Sequence, residues 1–113
     1  MWLVRKSKIL LAQKYDVANK ILHELADLES RHILFAVLKH PKTVREIADE
    51  EKIPLSSVYN KITALKEYSL IHERRNFSDT GRVTKYYQSK IKDIDIVITK
   101  FEPKIILTKN KLM

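Results

Sequence analysis

The 113-residue sequence predicts one small α+β domain, mostly helical, with an extra helix before the core and a β-hairpin after it. Three observations predict this class. Apolar residues recur at helical spacing from Val17 to Leu65, the period drops to two after Leu70, and the turn-forming residues are few. The chain holds one glycine and three prolines, and Pro41, Pro54, Gly81 and Pro103 all fall where the period changes.

Residues 5–15 fit either strand or helix through Ile9, Leu10 and Leu11, and the reading leans to extended. Asp16 is placed as an N-cap for a helix carrying Val17, Ile21, Leu25 and Leu28 on one stripe. Ser30 interrupts or re-caps the chain. A second stripe, Ile33, Leu34, Val37 and Leu38, stops at His40-Pro41, because proline disfavours helix at the residue before it. Thr43-Val44-Arg45-Glu46 is a capping box opening a helix over 43–52 that buries Val44, Ile47 and Ala48. Pro54 suits the first turn of the next helix, where a missing N–H costs nothing, and Val58, Ile62 and Leu65 give that helix one buried stripe. Residues 70–77 and 82–89 then read as strands around Ser78-Asp79-Thr80-Gly81, the glycine supplying a positive φ. Residues 91–100 alternate, with Ile94, Ile96 and Ile98 on one face and Asp93 and Asp95 on the other. Glu102-Pro103 breaks the run, and Lys104–Thr108 is the partner strand.

Charge narrows the partners. Twenty-two Lys and Arg against fourteen Asp and Glu leave a formal +8, with a pI near 9.7, which favours a polyanion. Residues 28–70 are nearly balanced. The excess sits at 71–90, where Arg74, Arg75, Arg82, Lys85 and Lys90 face only Glu73 and Asp79. There is no cysteine, so disulfides and thiolate metal sites are excluded. The apolar start, Met1 to Val4, meets Arg5 and Lys6 too soon for a signal segment, and no run has the length of a membrane span. A cytoplasmic protein with no membrane partner is expected.

Two short-linked helices, the second amphipathic and followed by a basic hairpin, are the pattern of a winged helix-turn-helix. The recognition helix would be 54–68 and the wing 71–89. The helices cross closely, and Ala48 supplies the small side chain that the crossing needs. On the second helix Val58, Ile62 and Leu65 point inward while Ser56, Asn60 and Thr63 point outward. Ser57, Tyr59, Lys61 and Ala64 lie on the flanks. Asn60 has the donor–acceptor pair for a bidentate contact to adenine, Ser56 and Ser57 reach bases or phosphates, and Tyr59 and Lys61 suit phosphates. Arg74, Arg75, Arg82 and Lys85 around the Gly81 tip suit phosphates or the minor groove. Thr43 completes the candidate DNA-contacting set. Phe77, Tyr86 and Tyr87 read as packing groups of a small sheet.

Thr43–Ile71 (TVREIADEEKIPLSSVYNKITALKEYSLI) resembles the core of winged-helix regulators of the ArsR-like type. That family has a T/S-x-x-E-I-A opening, matched by Thr43, Glu46, Ile47 and Ala48. Its V-Y-x-x-I-x-x-L helix is matched by Val58, Tyr59, Ile62 and Leu65, and Leu70-Ile71 forms the step into the wing. The resemblance covers residues 28–90. It implies sequence-specific double-stranded DNA binding by a homodimeric transcription regulator, with recognition helices about 34 Å apart. One departure is Ser69, where the family usually has glycine; a left-handed Ser69 would cost roughly 1 kcal/mol and could set the wing at a different angle.

Many members of that family sense metals, but His23, His32, His40 and His72 are scattered without helical ligand spacing, so neither metal nor cofactor is expected. No nucleophile elbow, phosphate loop or paired-carboxylate site occurs, and a chain this short has little room for an enclosed substrate cavity, so an enzyme is not expected. The organisation read from the sequence is an N-terminal strand/helix extension at 1–27, the DNA-binding domain at 28–90 and a C-terminal hairpin extension at 91–113. The extensions carry more apolar surface than a wing domain can cover: Ile94, Ile96, Ile98, Ile105 and Leu107 must bury in their own domain or against a second subunit. The alternative function is a winged-helix protein-docking module of a transcription or RNA-processing complex, which would need an apolar cluster on the outer side of helix 54–68.

Overall fold

The computed structural model describes residues 2–5, 15–99, 101 and 103–113. Their order is β1 (Trp2–Arg5), α1 (Tyr15–Leu25), α2 (Leu28–Ala36), α3 (Val44–Glu51), α4 (Leu55–Glu67), β2 (Ile71–Phe77), β3 (Val83–Ser89), β4 (Ile91–Ile98) and β5 (Pro103–Lys109). Four helices followed by two antiparallel hairpins realise the α+β class read from the sequence. Of the stretch expected to be extended, Arg5 lies in β1 and Tyr15 is already helical; residues 6–14 lie outside the described residues.

The first two helices differ from expectation in their punctuation. α1 opens at Tyr15, so Asp16 sits within the first turn and does not cap it. The break falls at Ala26-Asp27, and Asp27 is the cap: its backbone is extended and its carboxylate accepts the Ser30 N–H at 3.0 Å. The Ser30 hydroxyl, fully buried, lies 3.0 Å from Asp27 and 2.9 Å from Glu24, so Ser30 completes the cap without being it. The Arg31 guanidinium donates to the Leu25 carbonyl at 2.8 Å, occupying an acceptor left open at the end of α1. Leu28 therefore belongs to α2, where it is 60% exposed and no part of the α1 stripe.

The helix pair follows the sequence closely. Thr43 Oγ1 accepts the Glu46 N–H at 3.1 Å and Glu46 accepts the Thr43 N–H at 2.8 Å, the reciprocal capping box. α3 ends on Lys52 in the left-handed conformation (φ 58°), with the Ile53 N–H reaching the Ala48 carbonyl at 3.1 Å. α4 opens after Pro54 and ends in a Schellman motif. The Leu70 N–H donates to Leu65 at 2.9 Å, the Ser69 N–H donates to Lys66 at 3.0 Å, and Leu65 and Leu70 are both buried. The pivot is Ser69 at φ 59°, the conformation its place in the resemblance anticipated. Ser69→Gly should therefore raise stability by about 0.5 kcal/mol, the relief of left-handed strain being partly offset by glycine's freer unfolded state. A thermal melt should rise by about 2–4 °C; a fall would show that the serine is held by something other than the turn.

One hydrophobic cluster joins all four helices and both sheets. It includes Ile21 and Leu25 of α1, Ile33, Leu34 and Val37 around the end of α2, Ile47 of α3, Val58, Ile62 and Leu65 of α4, and Ile105 and Leu107 of β5. β2 and β3 form a two-stranded hairpin with Ile71 opposite Ser89 and Phe77 opposite Val83. β4 and β5 pair antiparallel, with a bulge between Ile91 and Asp93, and β1 adds in parallel on the far side of β5, giving the order β1-β5-β4. Pro103 is the first residue of β5 and does not break the sheet, a position where proline withholds no ladder bond. The C-terminal segment is bolted to the domain by Asn110, whose amide donates to the carbonyls of Leu38 (2.7 Å) and Ser89 (2.9 Å), and by the Met113 N–H, which donates to the Gln88 side-chain oxygen at 3.0 Å.

Candidate nucleic-acid interface

The inner face of α4 is fixed by Val58, Ile62 and Leu65, all buried. Helical geometry then turns Ser56, Asn60, Thr63 and Glu67 outward, and all four are exposed. Thr63 donates its hydroxyl to the Tyr59 carbonyl at 2.9 Å, one turn back. Tyr59 is exposed on the flank towards the wing. Lys61 is on the other flank and is committed: its ammonium lies 2.9 Å from Asp27, the α2 cap. That bond raises the Lys61 pKa and lowers that of Asp27. The pair ties α4 to the start of α2 and draws the charge expected for phosphate away from the outer face.

The hairpin register sorts the wing residues by face, because directly opposed residues share one. Glu73, Arg75 and Phe77 share a face with Tyr87, Lys85 and Val83; Arg74 and Asn76 lie on the other with Tyr86 and Thr84. Arg74 stands over the Tyr86 ring, 6.0 Å from its centroid. Arg82 is exposed in the turn, its amide donating to Ser78 Oγ at 3.0 Å beside Gly81 at φ 83°. Phe77, expected to pack in the sheet, is 71% exposed at the tip, because the two-stranded wing has no second layer to receive it.

The first of these faces closes on α4 and the N-terminus of α3 around an open cleft of about 500 Å³. Thr43 and Arg45 line one side, Tyr59, Thr63 and Lys66 another, and Glu73, Val83, Lys85 and Tyr87 the wing side. Glu73 organises it. Its carboxylate accepts from Lys66 at 2.9 Å, from the Tyr87 hydroxyl at 3.0 Å and from Arg75 at 3.1 Å. The Lys66 hydrogen bond is the main reason its pKa falls to about 2. Burial, and then the neighbouring Glu73, push the Tyr87 hydroxyl up to about 12. Arg75 is therefore paired with Glu73, whereas Arg45 and Lys85 stand exposed on the cleft wall and Arg82 is exposed in the wing turn.

The structure thus brings Thr43, Tyr59 and Lys85 around one cleft, ties Arg75 to Glu73 of that cleft, puts Ser56 and Asn60 on the adjoining outer face, and places Lys61 and Arg74 elsewhere. Arg45, Lys66 and Glu73 were missed by the sequence reading. Once the hairpin register is set about Gly81, Glu73 falls opposite Tyr87, which was the available signal. No group of three metal-ligating side chains occurs among the described residues; His32 lies 3.2 Å from Glu51.

A capped helix pair, an outward polar helix face and a basic hairpin define a winged helix-turn-helix. Solved structures share it. NolR from Sinorhizobium fredii is 21% identical at a TM-score of 0.59, over 73% of this chain and 81% of its own. The homodimeric winged helix-turn-helix DNA-binding domain (fragment 1–100) of Mb0332 from Mycobacterium bovis, a possible ArsR-family transcriptional regulator, is 24% identical at 0.55, over 66% of this chain and 64% of its own. Reduced HlyU from Vibrio cholerae is 19% identical at 0.54, over 66% and 73%. The resemblance carried by Thr43–Ile71 holds at the level of fold. No protein-family model matches the sequence, and no curated protein is detectably similar to it.

Proposed function

We propose that the protein is a dimeric transcription regulator that binds double-stranded DNA sequence-specifically, with α4 in the major groove and the β2–β3 wing on the phosphates or in the minor groove. The observation that carries this reading is the exposed Ser56–Asn60 side of α4, which no described terminal strand covers. Phosphate neutralisation by Arg45, Arg82 and Lys85 supplies affinity, and the Asn60 amide supplies base discrimination. The homodimeric DNA-binding domain of Mb0332 supports the same use of this fold. No helix among the described residues is long and apolar enough to cross a membrane, in keeping with a role at cytoplasmic DNA. The docking-module alternative needs an apolar cluster on the outer side of α4. Leu55 and Tyr59 are exposed there, but Asn60, Thr63 and Glu67 interleave with them.

The test is a titration against genomic fragments at two salt concentrations. Asn60→Ala should weaken the preferred site by about 1–3 kcal/mol while sparing unrelated duplex. Lys85→Ala should weaken every duplex and lower the salt slope by about 1. Absence of binding at low salt overturns the reading.

A further inference from the structure

β4 is the outer strand of the β1-β5-β4 sheet, and no described strand pairs with its free edge. Its register sets Ile94, Ile96 and Ile98 opposite Leu107, Ile105 and Pro103, on the apolar face of the sheet. Ile105 and Leu107 are buried in the cluster with Ala18 and Ile21 of α1. Along β4 that cover runs out: Ile91 is buried and Ile94 half-buried, while Ile96 is 40% exposed and Ile98 62%. Two of the isoleucines expected to bury are thus open in the single chain, and Phe101, at 93% exposed, extends the patch around the connecting turn. An open ladder edge beside a row of aliphatic side chains is a template for another strand.

We infer that this edge pairs with β4 of a second copy of the chain, antiparallel about a twofold axis, joining two three-stranded sheets into one of six. This deepens the dimer of the proposed function and names its interface. The pattern of β4 itself selects the occupant. A twofold pair centred on Ile96 sets Ile96 opposite its own twin, Ile94 opposite Ile98 and Asp95 opposite Val97. Ile94, Ile96 and Ile98 then each meet an isoleucine on one continuous apolar face, and no aspartate faces another. Slipping by one residue would set isoleucines against the polar face, and centring on Asp95 would oppose two carboxylates. Centring on Val97 would pair only residues 96–98 within the strand, which ends at Ile98, and leave Ile94 without an opposite residue. Residues 93–99 hold no Lys or Arg, so the positive excess of the chain does not oppose the contact. The bulge at Ile91/Asp93 ends the regular ladder at the inner end.

The absence of cysteine makes the register directly measurable. Opposed residues of an antiparallel pair have Cα atoms about 4.5–5.5 Å apart, within disulfide range. The full chain carrying Ile96→Cys should therefore oxidise to a covalent dimer. Ile98→Cys, with twins roughly 13 Å apart, should not. Ile98→Lys should weaken dimerisation roughly tenfold or more in sedimentation while keeping the circular dichroism of the parent. Cross-linking through Val97→Cys in place of Ile96→Cys overturns the register. A dimer that resists Ile98→Lys and does not cross-link at Ile96→Cys overturns the interface, as does a monomeric parent chain. DNA titrations run alongside read the proposed function independently: a monomer that binds DNA sinks only the β4 pairing, and a cross-linked dimer that binds none sinks only the regulator.

Discussion

Leu65→Ala should destabilise the fold by roughly 2–5 kcal/mol, the cost of an unfilled cavity at a fully buried leucine. The site combines two jobs. Leu65 is the last core residue of α4, and it also packs with Leu70 across the Schellman turn whose Leu70 N–H it accepts. Truncation loosens both the anchor of the helix and its junction to the wing. A small domain holds only about 5–15 kcal/mol in total, so the urea midpoint should drop sharply and DNA binding should fall in proportion to the unfolded fraction. Ser56→Ala, on the exposed side of the same helix, should leave the midpoint unchanged. A Leu65→Ala chain that keeps its midpoint would mean that α4 is not held by this stripe.

Glu73→Ala should move stability and affinity in opposite directions. The carboxylate satisfies the buried Tyr87 hydroxyl and holds both Lys66 and Arg75. Its loss orphans the tyrosine, at a cost of about 1–2 kcal/mol, and releases two cations beside the proposed DNA surface. Affinity for unrelated duplex should rise, with a salt slope steeper by about 1–2, while discrimination among sites falls as the wing loses its fixed angle. The pH dependence has a definite sign. A carboxyl at about 2 in the folded chain, against 4.5 ordinarily, contributes stability that is fully present above about pH 4.5 and lost as pH falls through 2. Lys66 and Arg75 are roughly half-exposed, so solvent screening holds the contribution to about 2 kcal/mol or less. Acid melts of the parent and of Glu73→Ala should therefore converge towards pH 2. If Glu73→Ala instead weakens binding to all duplexes, the cleft geometry matters more than the freed charge.

The helix pair was legible because its signals are local. Pro54, the Thr43–Glu46 box and the Val58-Ile62-Leu65 stripe each act within a turn or two of chain, and the Gly81 turn sets the wing register in the same way. What escaped depends on contacts distant in sequence or on conformations without a residue signature. Lys52 ends α3 in a left-handed turn that lysine does not advertise. Lys61 finds Asp27 across the α2–α4 packing, which no spacing rule connects. Phe77 reads as a packing group because aromatics in small sheets usually have a layer to pack on, but a two-stranded wing offers none. Among the isoleucines of β4 the alternation correctly gave the face. It could not give the reach of the core, which takes in Ile91 and leaves Ile98 open.

The parallel union of Trp2–Arg5 with Ile105–Thr108 has a kinetic corollary. Its partners stand about as far apart along the chain as the chain allows, so the entropy of closing that loop must be spent before a single ladder bond is gained. The helices and the wing, whose contacts are mostly local, can assemble first. Until β1 arrives, β5 has a bare flank of its own, and at high concentration the refolding chain runs its greatest risk of pairing with the wrong neighbour in that interval.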